Sequence, residues 1–165
     1  MRVVPFLLLA PLVLWGCKDS DVKRGSAGSQ IVTPYYQGIQ CGRGERTAQI
    51  TWIRNETERQ AAFKRILRTS LSAEPLPEVD FDDYALVLIE LGQRPTAGYQ
   101  LRLSSQRMVM DKGDGLILFD VDQPGAYAAQ VVTSPCLIVS VPRGDFKAVR
   151  AQSADNKIRV QTAVR

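Results

Sequence analysis

The sequence predicts an α+β domain that is mainly antiparallel β, a small β-sandwich or curled barrel with one packed amphipathic helix. Three observations lead there. About seven or eight short apolar or alternating runs are separated by Gly, Pro, Asn and Asp clusters, which is the punctuation of strands. A single stretch, after Asn55, carries apolar residues at helical spacing. After Tyr84 the connections between runs are too short for crossover helices, so neighbouring strands are expected to run antiparallel. A chain of 165 residues suffices for one such domain with a real core.

Taken in order, residues 30–40 contain Ile31, Val32, Tyr35, Tyr36 and Ile39, interrupted by Pro34, and read as an edge strand or two short extended pieces. Gly42 and Gly44 mark a turn, and residues 48–53 (AQITWI) are a strand rich in β-branched residues. Asn55 can cap a helix, with Glu58 three residues on to complete a capping box. Ala62, Phe63, Ile66 and Leu67 give that helix an apolar face over residues 56–69, while Arg59, Lys64, Arg65 and Arg68 fill the other. A connection with Pro75 and Pro77 leads to residues 84–91, an almost unbroken apolar run suited to a strand covered on both faces. Tyr99, Leu101 and Leu103 alternate with polar residues, as in a strand with one wet face. Residues 108–110, 116–121, 127–132 and 136–141 read as further strands, with Lys112-Gly113-Asp114-Gly115 a turn. Residues 157–164 alternate again, as a last edge strand or a tail.

The first residues belong to export rather than to the domain. Arg2 precedes a thirteen-residue apolar run, residues 3–15, too short to span a membrane comfortably and broken by Pro5 and Pro11. Leu14-Trp15-Gly16-Cys17 then resembles the lipobox of bacterial lipoproteins, which implies that Cys17 is acylated and becomes the mature N-terminus. Two or three acyl chains anchor stably where one does so marginally. Residues 1–16 are thus read as a lipoprotein signal peptide and residues 17–30, rich in Ser, Gly and charge, as a tether. Residues 31–150 form a single globular domain in this division, and residues 151–165 a basic tail or edge strand. No aspartate directly follows Cys17, which favours the outer over the inner membrane of a bacterial envelope.

Export bears on the remaining cysteines. Cys41 and Cys136 are an even pair in an oxidising compartment, a candidate disulfide closing a loop of about 95 residues. The alternative is two buried thiols that never meet. The chain has no histidine, which removes the usual general base, every Ser-His-Asp or Cys-His set and any Cys/His zinc cluster. Asp80, Asp82 and Asp83 cluster but lack the glycine and distal glutamate of a calcium loop, and read as a solvated turn. No cofactor or metal is implied, and the expected protein is not an enzyme.

The formal charge of +4 is uneven. Six acids and no base lie between Glu74 and Glu90, whereas basic residues dominate from Arg43 to Arg68 and from Arg143 to Arg165. Nucleic acid is excluded as a partner for an exported lipoprotein, and solubility explains the basic blocks more simply than anionic lipid does.

One turn stands apart. In Arg94-Pro95-Thr96-Ala97-Gly98-Tyr99, Pro95 fixes its own φ, Gly98 permits a positive φ, and Tyr99 opens the next strand with a large amphipathic ring. Such a loop is stiff, as recognition loops often are, but it is equally a well-made corner. Leu76-Pro77-Glu78-Val79-Asp80-Phe81, the strand of residues 84–91, Gly92-Gln93-Arg94-Pro95-Thr96-Ala97-Gly98-Tyr99 and Thr133-Ser134-Pro135-Cys136-Leu137-Ile138-Val139-Ser140-Val141-Pro142 follow one another in an order that resembles the C-terminal domain of the PrcB family. Residues 81–150 form the core of that resemblance. It implies a non-enzymatic accessory subunit, a surface lipoprotein that binds and stabilises another envelope protein such as a protease, with residues 94–99 as a candidate binding loop. The same loop also resembles, in four of six positions, the Asn-Pro-Thr-Thr-Gly-Tyr loop of chagasin-like cysteine-protease inhibitors. Residues 112–115 could supply the second inhibitory loop of that family, while Val141-Pro142-Arg143 lacks the aromatic of the third. Inhibition is therefore the alternative reading.

Overall fold

The computed structural model describes residues 28–42, 44–69 and 76–164, so the residues read as a signal peptide, Cys17 and most of those read as a tether lie outside the described residues. Ten strands and one α-helix are described: β1 (Ser29–Ile31), β2 (Thr33–Gly38), β3 (Gln49–Ile53), α1 (Glu56–Ile66), β4 (Tyr84–Glu90), β5 (Gln100–Leu103), β6 (Arg107–Asp111), β7 (Asp114–Asp122), β8 (Cys136–Pro142), β9 (Ala148–Ser153) and β10 (Arg159–Ala163). They form two sheets packed face to face, not a closed barrel. One runs β1-β6-β7-β9-β10, with β5 also on β7, and the other runs β2-β8-β4-β3.

The second sheet is buried on both faces at its centre, as the unbroken apolar run predicts. Because strand side chains alternate, Val87, Ile89, Leu137, Val139 and Val141 face the first sheet and meet Leu101, Met108, Ile117, Phe119, Val149 and Ala151. Leu86, Leu88 and Ile138 face outward and are covered by Phe63 and Ile66 of α1. The layers are therefore sheet, sheet, helix. Trp52 closes the inner core edge-on to Phe146, with ring centroids 5.7 Å apart.

Helix α1 starts at Asn55, whose Oδ1 accepts the Glu58 N–H at 2.9 Å. In a standard capping box the Glu58 carboxylate would take the N–H of Asn55 itself. Here it accepts the Arg54 N–H at 2.8 Å and binds the Arg54 guanidinium, one residue earlier. The helix ends at Ile66, and Leu67–Thr69 continues as a 3-10 turn. Arg65 reaches from the helix to Glu90 of β4 at 2.7 Å, an ion pair at the helix-sheet boundary.

Three differences from the sequence reading have physical causes. Residues 127–132 are not a strand: the Ala128 N–H goes to Gly125 O and the Val131 N–H to Ala129 O, so their donors close local turns rather than a ladder. β9 was not anticipated, because Ala148-Val149-Arg150-Ala151-Gln152-Ser153 holds one β-branched residue and is placed by its neighbours. The β7–β9 pair is parallel, against an antiparallel expectation. The chain leaves β7, forms β8 in the other sheet and returns, a strand acting as the crossover that parallel pairing requires. Of the two readings of residues 157–164, the edge strand is the one found: β10 pairs with β9 at the end of the first sheet.

Cys41 and Cys136 are joined by a disulfide, with Cα atoms 5.9 Å apart and a sequence separation of 95. It ties the segment after β2 to the first residue of β8. Arg143 secures the opposite end of β8: its Nε donates to Phe81 O and its Nη2 to Arg54 O, each at 2.6 Å, and its N–H to Asp83 O.

Replacing both Cys41 and Cys136 by Ser is expected to lower unfolding stability by about 4 kcal/mol, the effect of releasing a loop of this length in the unfolded chain. Equilibrium denaturation in urea measures it, and a loss below about 1 kcal/mol contradicts it. At the β9–β10 turn, the Ser153 hydroxyl, the Lys157 N–H and the Lys157 ammonium hold the Asp155 carboxyl down to about 2. The folded value is depressed, so this stabilisation is present above the ordinary carboxylate range and is lost as pH falls through about 2. An NMR titration of Asp155 is expected to find its midpoint near there and to find it raised in Ser153→Ala; a wild-type midpoint near the ordinary value of about 4 refutes the assignment.

Candidate protein-interaction surface

The six residues singled out in sequence, Arg94, Pro95, Thr96, Ala97, Gly98 and Tyr99, form the corner between β4 and β5, and most of their bonding capacity is spent on holding it. Arg94 and Thr133 exchange both backbone hydrogen bonds, at 2.8 and 2.9 Å. The Ala97 N–H donates to Ala129 O at 2.9 Å, and the Thr133 hydroxyl to Thr96 O at 3.1 Å. The Arg94 guanidinium turns back onto Gln93 O. Tyr99 is half-buried and packs on the inner core beside Leu101. Pro95 and Gly98 are exposed.

Two glycines make the corner possible. Gly98 has φ +98°, and a Cβ there would lie 3.0 Å from the Pro124 Cβ. Gly92 has φ +78°, and a Cβ there would lie 2.7 Å from the carbonyl oxygens of both Arg46 and Thr47. The second is a backbone contact that cannot yield, so Gly92 fixes how β4 leaves the sheet.

The opposing arm, residues 123–135, carries what the corner lacks. Tyr127 is fully exposed, and Val131 and Val132 are 54% and 56% exposed. Ile39, 51% exposed, joins them from the end of β2: the Ser134 N–H donates to Ile39 O at 3.0 Å and the Gln40 amide to Val132 O at 3.0 Å. The disulfide at Cys41 and the Cys41 N–H bond to Ser134 O hold this strand end in place. Four of the seven large exposed apolar residues among those described therefore gather at one end of the sandwich, around the corner. Isolated exposed apolar side chains need no explanation, whereas several at one end of a braced frame are a candidate contact surface.

Sequence reasoning missed this surface because a strand reading of residues 127–132 sends Tyr127 and Val131 to one face of a sheet and Val132 to the other, and so separates them. The contrary signal was present: Pro124-Gly125-Ala126 before the run, and Ala128, Ala129 and Gln130 within it, are poor strand formers.

The arrangement does not assemble a three-loop inhibitory edge. Residues 112–115 lie at the start of β7, whereas the corner leads into Gln100, which pairs with Asp122 at its end. Pro142 pairs with Tyr84, at the end of β8 remote from Cys136 and the corner. The three segments compared with chagasin-like loops thus sit at opposite ends of the sandwich. Asp80, Asp82 and Asp83 form a turn in which Asp80 accepts the Asp82 N–H at its carboxylate and the Tyr84 N–H at its carbonyl. No group of metal-binding side chains occurs among the described residues.

Residues 85–142 match the family model described as PrcB C-terminal. Over that segment the chain is similar to the PrcB C-terminal domain, in agreement with the ordered motifs read from sequence. It runs from β4 to β8 and so includes both the corner and its opposing arm. No curated protein and no solved structure matches the chain.

Gly92→Ala is expected to destabilise the domain by at least about 2 kcal/mol, since it adds a backbone clash to a strained φ. Gly113→Ala, also at positive φ but with open space around it, should cost about 1 kcal/mol. Thermal and urea unfolding of both variants decide the point; equal losses would show that the close approach at Gly92 contributes nothing.

Proposed function

We propose that the protein is a non-enzymatic envelope lipoprotein, anchored through acylated Cys17, whose β-domain binds and stabilises a partner protein. The family match points to a role associated with a protease complex, and a surface or periplasmic protease is the partner it suggests. The observation that carries the reading is that the family segment builds most of the braced, apolar end: the corner, the opposing arm and Tyr127, Val131 and Val132 all fall within it. Recognition by a few exposed apolar and aromatic anchors on a rigid frame keeps the ordering cost of binding low. The corner supplies the frame and the opposing arm supplies the contacts.

The test is photo-crosslinking in intact cells, with a benzophenone amino acid at Val131 and, as control, at Lys157 on the β9–β10 turn. A defined adduct is expected from position 131 alone. Tyr127→Ser with Val132→Ser should weaken it at least about tenfold while the fold is kept. Deleting the protein should also lower the abundance of the crosslinked partner. Identical adducts from both positions, or an adduct indifferent to the double substitution, would refute the reading. Gly98→Val is a poor probe here, because it strains the frame itself.

A further inference from the structure

The place where the chain enters the fold sets which way the apolar end points. Gly28, the first described residue, lies beside β6: its carbonyl accepts the Met110 N–H at 3.0 Å. Met110 pairs with Gly115 at the start of β7, next to the hairpin turn that bears Lys112. Lys147, whose N–H donates to Gly113 O, marks the same end. The chain then runs through β1 and β2 away from this end and reaches Ile39 at the other. Along β7, Gly115 and Asp122 are seven residues apart, about 23 Å of strand.

We infer that the apolar end formed by Ile39, Tyr127, Val131 and Val132 is a membrane-distal docking face for a protein standing clear of the bilayer, and that the Lys112–Lys147 end faces the anchoring leaflet. The inference rests on the lipoprotein reading of Cys17 given above. Cys17 and Gly28 are eleven positions apart in sequence, a reach of at most about 40 Å. To lay the apolar end on lipid, the chain would have to run back about 23 Å along the domain, more than half of that reach. Hung by Gly28, the domain instead presents Lys112 to the surface and holds Val131 outward, within about 60 Å of the leaflet. In that orientation the apolar end meets a protein with an apolar face rather than the bilayer.

The full lipidated chain in vesicles tests this. Cys17 is acylated and Cys41 and Cys136 are bridged, so Lys112→Cys and Val131→Cys each add one thiol for a fluorescent donor. Energy transfer to an acceptor on lipid headgroups is expected to be roughly twofold or more stronger from position 112 than from 131, given the ~23 Å between the two ends. The fluorophore at position 131 should keep the emission of an aqueous site. Equal or reversed transfer, or a blue shift at 131 on membrane binding, would mean that the apolar end lies on lipid and would overturn the inference alone. Self-quenching at 131 that persists as the protein is diluted in the membrane would place a second copy there and overturn it as well. Failure of the wild-type chain to float with vesicles would instead remove the anchor, and both readings with it.

Discussion

Burial of β4 and β8 on both faces constrains everything placed around them, because each of these strands must satisfy two different cores with alternate side chains. Val87 and Ile89 serve the inter-sheet core while Leu86 and Leu88, between them, serve the helix. A slip of one residue would exchange the two sets and turn Glu90 away from Arg65. The register is therefore fixed from both sides. Its ends are fixed too: Cys136, opposite Glu90, is tied to Cys41, and Arg143, beyond Pro142, binds three carbonyls from two other segments. A pair held this firmly gives the loops at its ends a frame that does not depend on the loops themselves.

What the sequence revealed follows from where local pattern and tertiary demand agree. The run at residues 84–91 is apolar because both faces are covered, and no other environment suits it. Asn55 and the spacing of Phe63 and Ile66 announced the helix, although Glu58 chose the Arg54 N–H over the expected one. β9 was hidden because Ala, Arg, Gln and Ser carry little strand preference; it is a strand because β7 and β10 leave their edges there. At the candidate site, the corner was legible through Pro95 and Gly98, whose backbone roles are written in their chemistry. The reach of Gly92 toward Arg46 and Thr47 was not, since it depends on a segment more than forty residues away.

The motif that drew attention in sequence and the surface that can make contacts are thus neighbours with different duties. Residues 94–99 spend their hydrogen bonds on Thr133 and Ala129, and Tyr99 spends its ring on the core. The exposed apolar groups come from the arm those bonds hold and from the end of β2. A loop can be a family marker because it positions a surface, without being that surface. Changes within the corner would act on binding through the frame, whereas changes at Tyr127, Val131 or Val132 would act on contact directly.

Native-state hydrogen exchange tests most directly whether the corner is braced by the central pair. The account predicts that the Arg94, Ala97 and Thr133 amides exchange as slowly as those of β4 and β8, through the same global opening, while the Tyr127 amide exchanges at rates typical of exposed loops. Arg94 and Thr133 exchanging as fast as Tyr127 would contradict it, since the corner would then be a free loop and not the frame of a contact surface.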